Sequence, residues 1–276
     1  MSNEAGVAAR LPAYEVRTHN THSTSENRMH SDEVAAAYGF KGALVPGVTV
    51  FSHMTQPLVA RHGAAWLSRG VAEVAFAKPA YDNDLLCVEG ERDADGGYAL
   101  VCVNEERTEL ARMTARLRES PPVIDARSAL VPAIPCDKQL VAWDLVEVGV
   151  PFPALAWRPS RDDNLQWCAD VRDELPVYRD GATPLLHPGF ILRQANLVLR
   201  NRFTLPAWIH TASRIQFDSA AHAGDELEVR AIPEEKWRHK GHEFVRLYVC
   251  VARGGQVLSE IMHTAIFQPR KKAGSR

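Results

Sequence analysis

The chain has 276 residues, of which 46% are hydrophobic and 24% are charged, and its formal net charge is −2 at pH 7. These values are typical of a globular protein and exclude a disordered, collagen-like or low-complexity chain. Because acidic and basic residues are interspersed and no apolar run reaches the roughly 18 residues of a membrane helix, we expect no nucleic-acid partner and no membrane partner.

The N-terminus lacks the charged start and the apolar core of a secretory signal peptide. The five cysteines are isolated from one another, with no Cys-x-x-Cys spacing. We therefore expect a cytoplasmic protein with reduced thiols.

The first long predicted helix begins at Pro46-Gly47. Apolar side chains follow at helical spacing, at Val48, Phe51, Met54 and Leu58. Four later stretches carry β-branched and aromatic residues at alternate positions, which predicts antiparallel strands. These stretches are residues 71–76, 85–91, 98–105 and 109–117. Since one face of such a sheet needs a cover, we expect the sheet to wrap around the helix.

A proline-rich segment comes next. Residues 121–159 contain seven prolines, which is typical of a connection between folded units. We interpret the segment as a linker that packs on the surface and includes one strand at residues 139–147.

The pattern of the first half then repeats. Pro188-Gly189 opens a second apolar helical stretch. Asp84 lies 37 residues after Gly47, Asp225 lies 36 residues after Gly189, and a phenylalanine precedes each aspartate by eight residues. Several matches in one register indicate an internal duplication. Because the aspartates correspond, we expect a structural role for them in a turn.

The duplication predicts an α+β fold with two copies of a long helix wrapped by an antiparallel β-sheet. The first copy spans residues 1–120, the linker spans residues 121–159 and the second copy spans residues 160–276.

A motif precedes the first helix. It contains Asn27-Arg28-Met29-His30, and Gly47 follows His30 by 17 residues. This segment resembles the motif of the MaoC-like, (R)-specific enoyl-CoA hydratases, which reads Asp-x-Asn-Pro-x-His and is followed by His-Gly at the start of the central helix. That family also has a hydroxyl residue eight positions past the glycine, where this chain has Thr55.

The resemblance implies the tandem, or double, hotdog fold, in which one copy keeps the chemistry and the other forms the acyl tunnel. It implies a small-molecule acyl thioester, carried on CoA or on acyl-carrier protein, as the substrate. It implies no cofactor and no metal. Since the duplication supplies within one chain the pairing that single hotdogs obtain by dimerising, monomer and homodimer are both open.

The motif of the first copy departs from the family pattern at two places. Ser25 stands where the family has its aspartate, with Glu26 beside it, and Pro46 stands where the family has the histidine before glycine.

The second copy departs in the opposite way. Residues 173–178 keep the aspartate, as Asp173, but have Leu175 and Tyr178 in place of the asparagine and the histidine. Because other charged residues flank Asp173, we expect it on a solvated face.

The residues of the first copy suit hydration of an enoyl thioester. Histidine, with an ordinary pKa of about 6.5, exchanges protons near neutrality. A backbone N–H at a helix N-terminus has no partner within the helix and lies at the positive end of its dipole, where it can stabilise charge on the thioester oxygen. We therefore predict His30 as the acid/base, Asn27 as an orienting residue and Gly47 as the N–H donor. We predict Thr55 and Glu26 as contacts for water or the carbonyl.

Other interpretations stay open. A hotdog thioesterase would use Glu26 to activate water, and a non-catalytic acyl-thioester-binding protein would explain why neither motif is complete. His30 also precedes a predicted helix cap at Ser31, a position where histidine is often merely exposed. A metal site formed by His19, His22 and His30 has no second cluster of cysteine or histidine to support it.

Overall fold

The computed structural model describes residues 10–20, 27–120 and 122–270. The elements of the first half are β1 (Leu11–Arg17), α1 (Asp32–Ala37), α2 (Gly47–His62), α3 (Trp66–Arg69), β2 (Gly70–Phe76), β3 (Leu85–Arg92), β4 (Tyr98–Val103) and β5 (Glu109–Leu117). The linker contains β6 (Gln139–Leu140) and β7 (Leu155–Trp157). The elements of the second half are α4 (Arg161–Asp170), α5 (Pro188–Leu192), α6 (Gln194–Arg202), β8 (Phe203–Thr204), β9 (Ile209–Phe217), β10 (Leu227–His239), β11 (His242–Arg253) and β12 (Gln256–Gln268).

Ten strands form one antiparallel sheet, in the order β1-β3-β4-β5-β2-β9-β12-β11-β10-β7. Read from either end towards the middle, the order is the same, because β1, β3, β4, β5 and β2 correspond to β7, β10, β11, β12 and β9. The halves join at β2 and β9, where Val71 pairs with Gln216 and Ala75 pairs with Ala212. The predicted α+β fold with two copies of one unit is therefore confirmed.

The helix that begins at Gly47 is the central helix of the first half, as predicted. It contacts α5 of the second half and strands β1, β4 and β9. Phe51, Met54 and Leu58, which gave the helix its predicted spacing, are fully buried. Burial of each of these side chains stabilises the fold by roughly 1.5–3 kcal/mol.

The corresponding aspartates make the same turn contact in both halves. The carboxylate of Asp84 accepts a hydrogen bond from the backbone N–H of Tyr81, at 2.8 Å. The carboxylate of Asp225 accepts one from the N–H of His222, also at 2.8 Å. The expected structural role of these two residues is confirmed.

The linker contains less strand than predicted. Within residues 139–147 only Gln139–Leu140 is a paired strand, parallel to β8, and a 3-10 turn follows at Trp143–Leu145. This turn stacks the ring of Trp143 on that of Phe267, with 6.4 Å between centroids, and places Lys236 Nζ 4.6 Å from the indole centroid. Aromatic packing rather than strand pairing therefore fixes this segment.

The two central helices lie close together at Gly189. A Cβ atom at this position would lie 1.9 Å from Ser52 Oγ and 3.1 Å from the Val48 carbonyl oxygen of α2. We expect Gly189→Ala to lower the free energy of unfolding by about 1–3 kcal/mol, because the added methyl group would push α5 away from α2. Denaturant unfolding followed by circular dichroism measures this loss.

A second substitution tests the cause of that loss. Ser52→Ala removes Oγ, the atom that the new methyl group would meet, without placing a glycine inside α2, so Gly189→Ala is expected to lose less stability in the Ser52→Ala protein than in the wild type. An equal loss in both proteins would contradict this explanation.

Candidate active site

Three of the predicted residues line one cavity. Asn27, His30 and Gly47 border a space of about 260 Å³ between the first-half motif, the start of α2 and the start of β9. Both halves contribute apolar side chains to its wall: Met29, Phe40, Phe76, Trp208 and Ile266. The site is therefore built jointly by the two halves.

The motif forms a short 3-10 turn at Arg28–His30, in which the N–H of His30 donates to the Asn27 carbonyl at 3.1 Å. The second half has the same turn at Pro176–Tyr178, where the N–H of Tyr178 donates to the Leu175 carbonyl at 3.2 Å. The shared geometry places Tyr178 at the position that corresponds to His30.

The amide of Asn27 connects the motif to the second half. Its Oδ1 accepts hydrogen bonds from the N–H of Met29, at 3.2 Å, and of Trp208, at 3.3 Å. Its Nδ2 donates to the Trp208 carbonyl at 3.0 Å and lies 3.2 Å from His30 Nε2. These contacts fix the orientation of the amide and direct one of its N–H groups to the imidazole.

The hydrogen bonds of His30 determine where its proton lies. Nδ1 lies 2.6 Å from the carbonyl oxygen of Leu44. Because a carbonyl oxygen only accepts, Nδ1 carries the proton and Nε2 holds the lone pair. Burial lowers the pKa of His30 below its ordinary value, and the bond to Leu44 opposes this in part. The imidazole, 8% exposed, is therefore a neutral base at pH 7.

The start of α2 presents a backbone donor to the cavity. The N–H groups of Thr49 and Val50 both donate to the Pro46 carbonyl. Within the described part of the chain, no acceptor is found for the N–H of Gly47. In the second half the corresponding N–H, that of Gly189, donates to His187 Nδ1 at 3.0 Å. The first-half donor is thus available to a ligand, whereas its counterpart is satisfied within the protein.

Of the remaining predicted site residues, only Thr55 lies within the described ranges, and it does not line this cavity. The side chain of Thr55 is fully buried in α2, and its hydroxyl donates to the Ser52 carbonyl at 3.0 Å. Glu26, like the neighbouring Ser25 and His22, lies outside the described residues, so its role stays a prediction.

His210, at the start of β9, is a cavity residue that the sequence analysis missed. Its ring centroid lies 4.8 Å from that of Phe76. A Cβ atom at Gly47 would lie 3.1 Å from His210 Nδ1, so this nitrogen borders the start of α2. No local motif marks His210, because only the pairing of β2 with β9 brings it to the first-half helix.

In the second half, Asp173 and His187 form a buried network instead of an open site. Nδ1 of His187 accepts from Trp167 Nε1, at 3.2 Å, and from the N–H of Gly189, so the ring proton is on Nε2 and points to Asp173 Oδ2 at 3.3 Å. Asp173 also accepts from the N–H of Leu175 at 3.0 Å. It is only 2% exposed. The expectation of a solvated face was therefore wrong, because these two donors hold the carboxylate in the interior.

No helix in residues 10–20, 27–120 and 122–270 is long and apolar enough to cross a membrane. Within the same ranges, no three side chains of His, Cys, Asp or Glu are grouped so that they could hold a metal ion.

Comparison with known proteins identifies the fold. The sequence matches no protein-family model and no curated protein. The structure is similar to a MaoC domain protein dehydratase from Chloroflexus aurantiacus, with 14% identity over 97% of this chain and 96% of that chain and a TM-score of 0.69. It is also similar to a double hotdog protein from Mycobacterium tuberculosis, with 15% identity over 96% and 97% of the two chains and a TM-score of 0.66. An oleoyl thioesterase from Lactobacillus plantarum has 10% identity over 96% and 97% and a TM-score of 0.50. The chain has the double hotdog fold of these structures.

Proposed function

We propose that this chain is an acyl-thioester hydratase or dehydratase of the MaoC-like kind in which His30 is the acid/base. The observation that carries the proposal is the placement of a neutral imidazole and an available helix N-terminal N–H, that of Gly47, on one apolar cavity. A base and an oxyanion donor are the two groups that hydration of an enoyl thioester requires.

In the proposed hydration, His30 transfers the proton and the N–H of Gly47 stabilises the charge. Nε2 of His30 exchanges its contact with the Asn27 N–H for a water molecule, and it takes a proton from this water as the water oxygen attacks the β-carbon of the trans-2-enoyl thioester. The electron pair of the double bond moves towards the carbonyl, and the N–H of Gly47 and the positive end of α2 stabilise the negative charge on the thioester oxygen. The imidazolium then returns its proton to the α-carbon as the carbonyl reforms. The reverse sequence eliminates water.

The cavity suits a short acyl group. Its volume of about 260 Å³ is just below the range of roughly 300–1,000 Å³ that is usual for ligand pockets. Its wall is largely apolar, so we expect turnover to be faster with short enoyl chains than with long ones. The acyl group of the proposed substrate is carried on CoA or on acyl-carrier protein.

Incubation with a series of trans-2-enoyl-CoAs of different chain lengths tests the proposal. We expect loss of the conjugated enoyl absorbance without release of free thiol. Release of thiol would instead identify a thioesterase, the activity in the name of the Lactobacillus plantarum structure. Binding of the thioesters without either change would contradict both activities and favour a non-catalytic acyl-thioester-binding protein.

The pH dependence of the rate gives a further prediction. His30 acts as a base only when it is neutral, and burial lowers its pKa. The rate of hydration is therefore expected to fall as the pH is lowered, with the midpoint of the decline below pH 6.5. The pH profile of kcat/KM measures the midpoint, and a midpoint above pH 6.5 would contradict a buried His30 as the base.

A further inference from the structure

The buried end of the cavity includes a polar side chain that the proposed reaction does not use, that of Asn196 on α6. Ala77 and Lys78, which border the cavity at its other end, are exposed, whereas Asn196 is only 9% exposed. A carrier such as CoA is too large for the cavity and must remain at the exposed end. The acyl group therefore extends towards Asn196.

The orientation of the Asn196 amide follows from its contact with Trp208. Trp208 Nε1 lies 3.2 Å from Asn196 Oδ1. Because an indole nitrogen only donates, the amide oxygen must be the atom that faces Trp208. The backbone of Trp208 is in turn held by Asn27, which bonds both its N–H and its carbonyl. The Asn196 oxygen is thus used within the protein, and the amide nitrogen takes the other position.

The amide nitrogen of Asn196 has two N–H groups to donate. Among the residues that the structure describes, no acceptor is found for it. Unlike the unpartnered nitrogens Trp66 Nε1 and His263 Nε2, which are sealed in the core, it retains accessible surface. Since Asn196 borders the cavity, these N–H groups are available to a molecule bound there.

The fold itself does not require an amide at this position. Asn196 lies seven residues after Gly189, and the residue seven positions after Gly47 is Met54. Met54 is fully buried in the apolar core. The duplicated helix therefore accommodates an apolar side chain here, and the copy whose side chain borders the cavity has an amide instead.

The Asn196 amide makes the buried end of the cavity selective. A wholly apolar acyl chain would displace water from Nδ2 and leave its N–H groups without an acceptor, which is unfavourable. A site with such a donor discriminates against a ligand that lacks the matching oxygen.

We propose that the acyl group of the substrate carries an oxygen substituent, a carbonyl or a hydroxyl, that accepts a hydrogen bond from Nδ2 of Asn196. The proposal rests on the acyl-thioester substrate of the proposed function, and it names the class of that substrate as a short oxygenated acyl thioester. Asn196 is then a specificity-determining residue, which binds the part of the acyl group that does not react.

Binding of saturated thioesters tests the proposal without any turnover. The probes are 4-oxopentanoyl-, 5-oxohexanoyl- and 6-oxoheptanoyl-CoA, each paired with the acyl-CoA of the same shape in which a methyl branch replaces the oxo oxygen. Isothermal titration calorimetry gives the Kd of each compound. We expect at least one oxo compound to bind about 10–100-fold more tightly than its branched partner. Equal affinities within all three pairs, or no binding of any probe, would overturn the proposal.

Substitution of Asn196 tests whether its amide causes the preference. Asn196→Leu, which has a similar shape and no donor, is expected to bind both members of the preferred pair nearly equally. Asn196→Met, which carries the side chain of the corresponding position of α2, is expected to do the same and gives a second test should the leucine variant unfold. If Asn196 only held Trp208 in place, both members would be weakened alike, and a preference retained in either folded variant would overturn the proposal.

Nuclear magnetic resonance observes the contact itself. The side-chain ¹⁵N–¹H₂ resonances of residue 196 are assigned by their absence from Asn196→Leu. We expect one of the two proton resonances to move downfield when the preferred oxo compound binds, and to move little with its branched partner. Equal positions in the two complexes would contradict a hydrogen bond from Nδ2.

Turnover separates this proposal from the function on which it rests. A wild-type protein that prefers the oxo compounds but hydrates no enoyl-CoA would contradict the hydratase activity and leave the role of Asn196 supported. A protein that hydrates enoyl-CoAs but binds the members of every pair equally would contradict the role of Asn196 and leave the hydratase activity supported.

Discussion

Replacement of His30 by glutamine is expected to lower the rate of enoyl-thioester hydration by about 10²–10⁴-fold, the usual contribution of one acid/base group. Glutamine is similar in length and can donate to the Leu44 carbonyl, which His30 now holds at 2.6 Å. It has no basic nitrogen, so it cannot take a proton from water. Loss of the enoyl absorbance, measured as kcat/KM, gives the size of the effect.

His239→Gln is the matched control, because His239 is an exposed histidine at the end of β10. It is expected to retain the wild-type rate. The two variants should have similar unfolding free energies, which separates loss of catalysis from loss of fold. A His30→Gln protein that hydrates enoyl-CoA at the rate of His239→Gln would exclude His30 as the acid/base.

The second large effect is expected on stability, in the buried network of Asp173 and His187. Asp173→Ala removes the acceptor of a buried donor, His187 Nε2–H at 3.3 Å, and of a part-buried donor, the N–H of Leu175 at 3.0 Å. We expect the free energy of unfolding to fall by about 3 kcal/mol, because both N–H groups would lose their acceptor and that of His187 is buried. Urea unfolding of the wild type and the variant measures the difference.

Two controls identify the cause. Asp173→Asn keeps one side-chain oxygen and is expected to lose less stability than Asp173→Ala. Asp137→Ala removes an exposed carboxylate of the linker and is expected to change the unfolding free energy by less than about 0.5 kcal/mol. If Asp173→Ala were as stable as Asp137→Ala, the buried network would not contribute to folding.

The part of the site that the sequence predicted is the part that is local in sequence. Asn27 and His30 lie on one short turn, and Gly47 begins the helix that its apolar spacing already indicated. The identities of Asn27, His30 and Gly47 and the short intervals between them were enough to predict that they lie together. The duplicated pattern likewise predicted the two equal halves of the sheet, because it depends on intervals within each half.

The residues that the sequence did not reveal depend on contacts between distant segments. His210 reaches the cavity through the pairing of β2 with β9, which brings the start of β9 beside the first-half helix. Asp173 looks solvated beside its charged neighbours, and its burial follows from His187, which lies 14 residues away. Thr55 matched a family position by number, but its hydroxyl is used by the Ser52 carbonyl of its own helix.

The two helix-starting glycines differ: the N–H of Gly189 is bonded to His187, whereas that of Gly47, which lines the cavity, has no acceptor among the described residues. Identical subunits related by a twofold axis share one sequence, so a change that closed one site would close both. Fusion of the copies removes this restriction, because a mutation then alters one half only. The first half's cavity in turn requires Trp208 and His210 from the second half. Fusion thus permits one open site for every two copies of the fold, and it makes the pair inseparable.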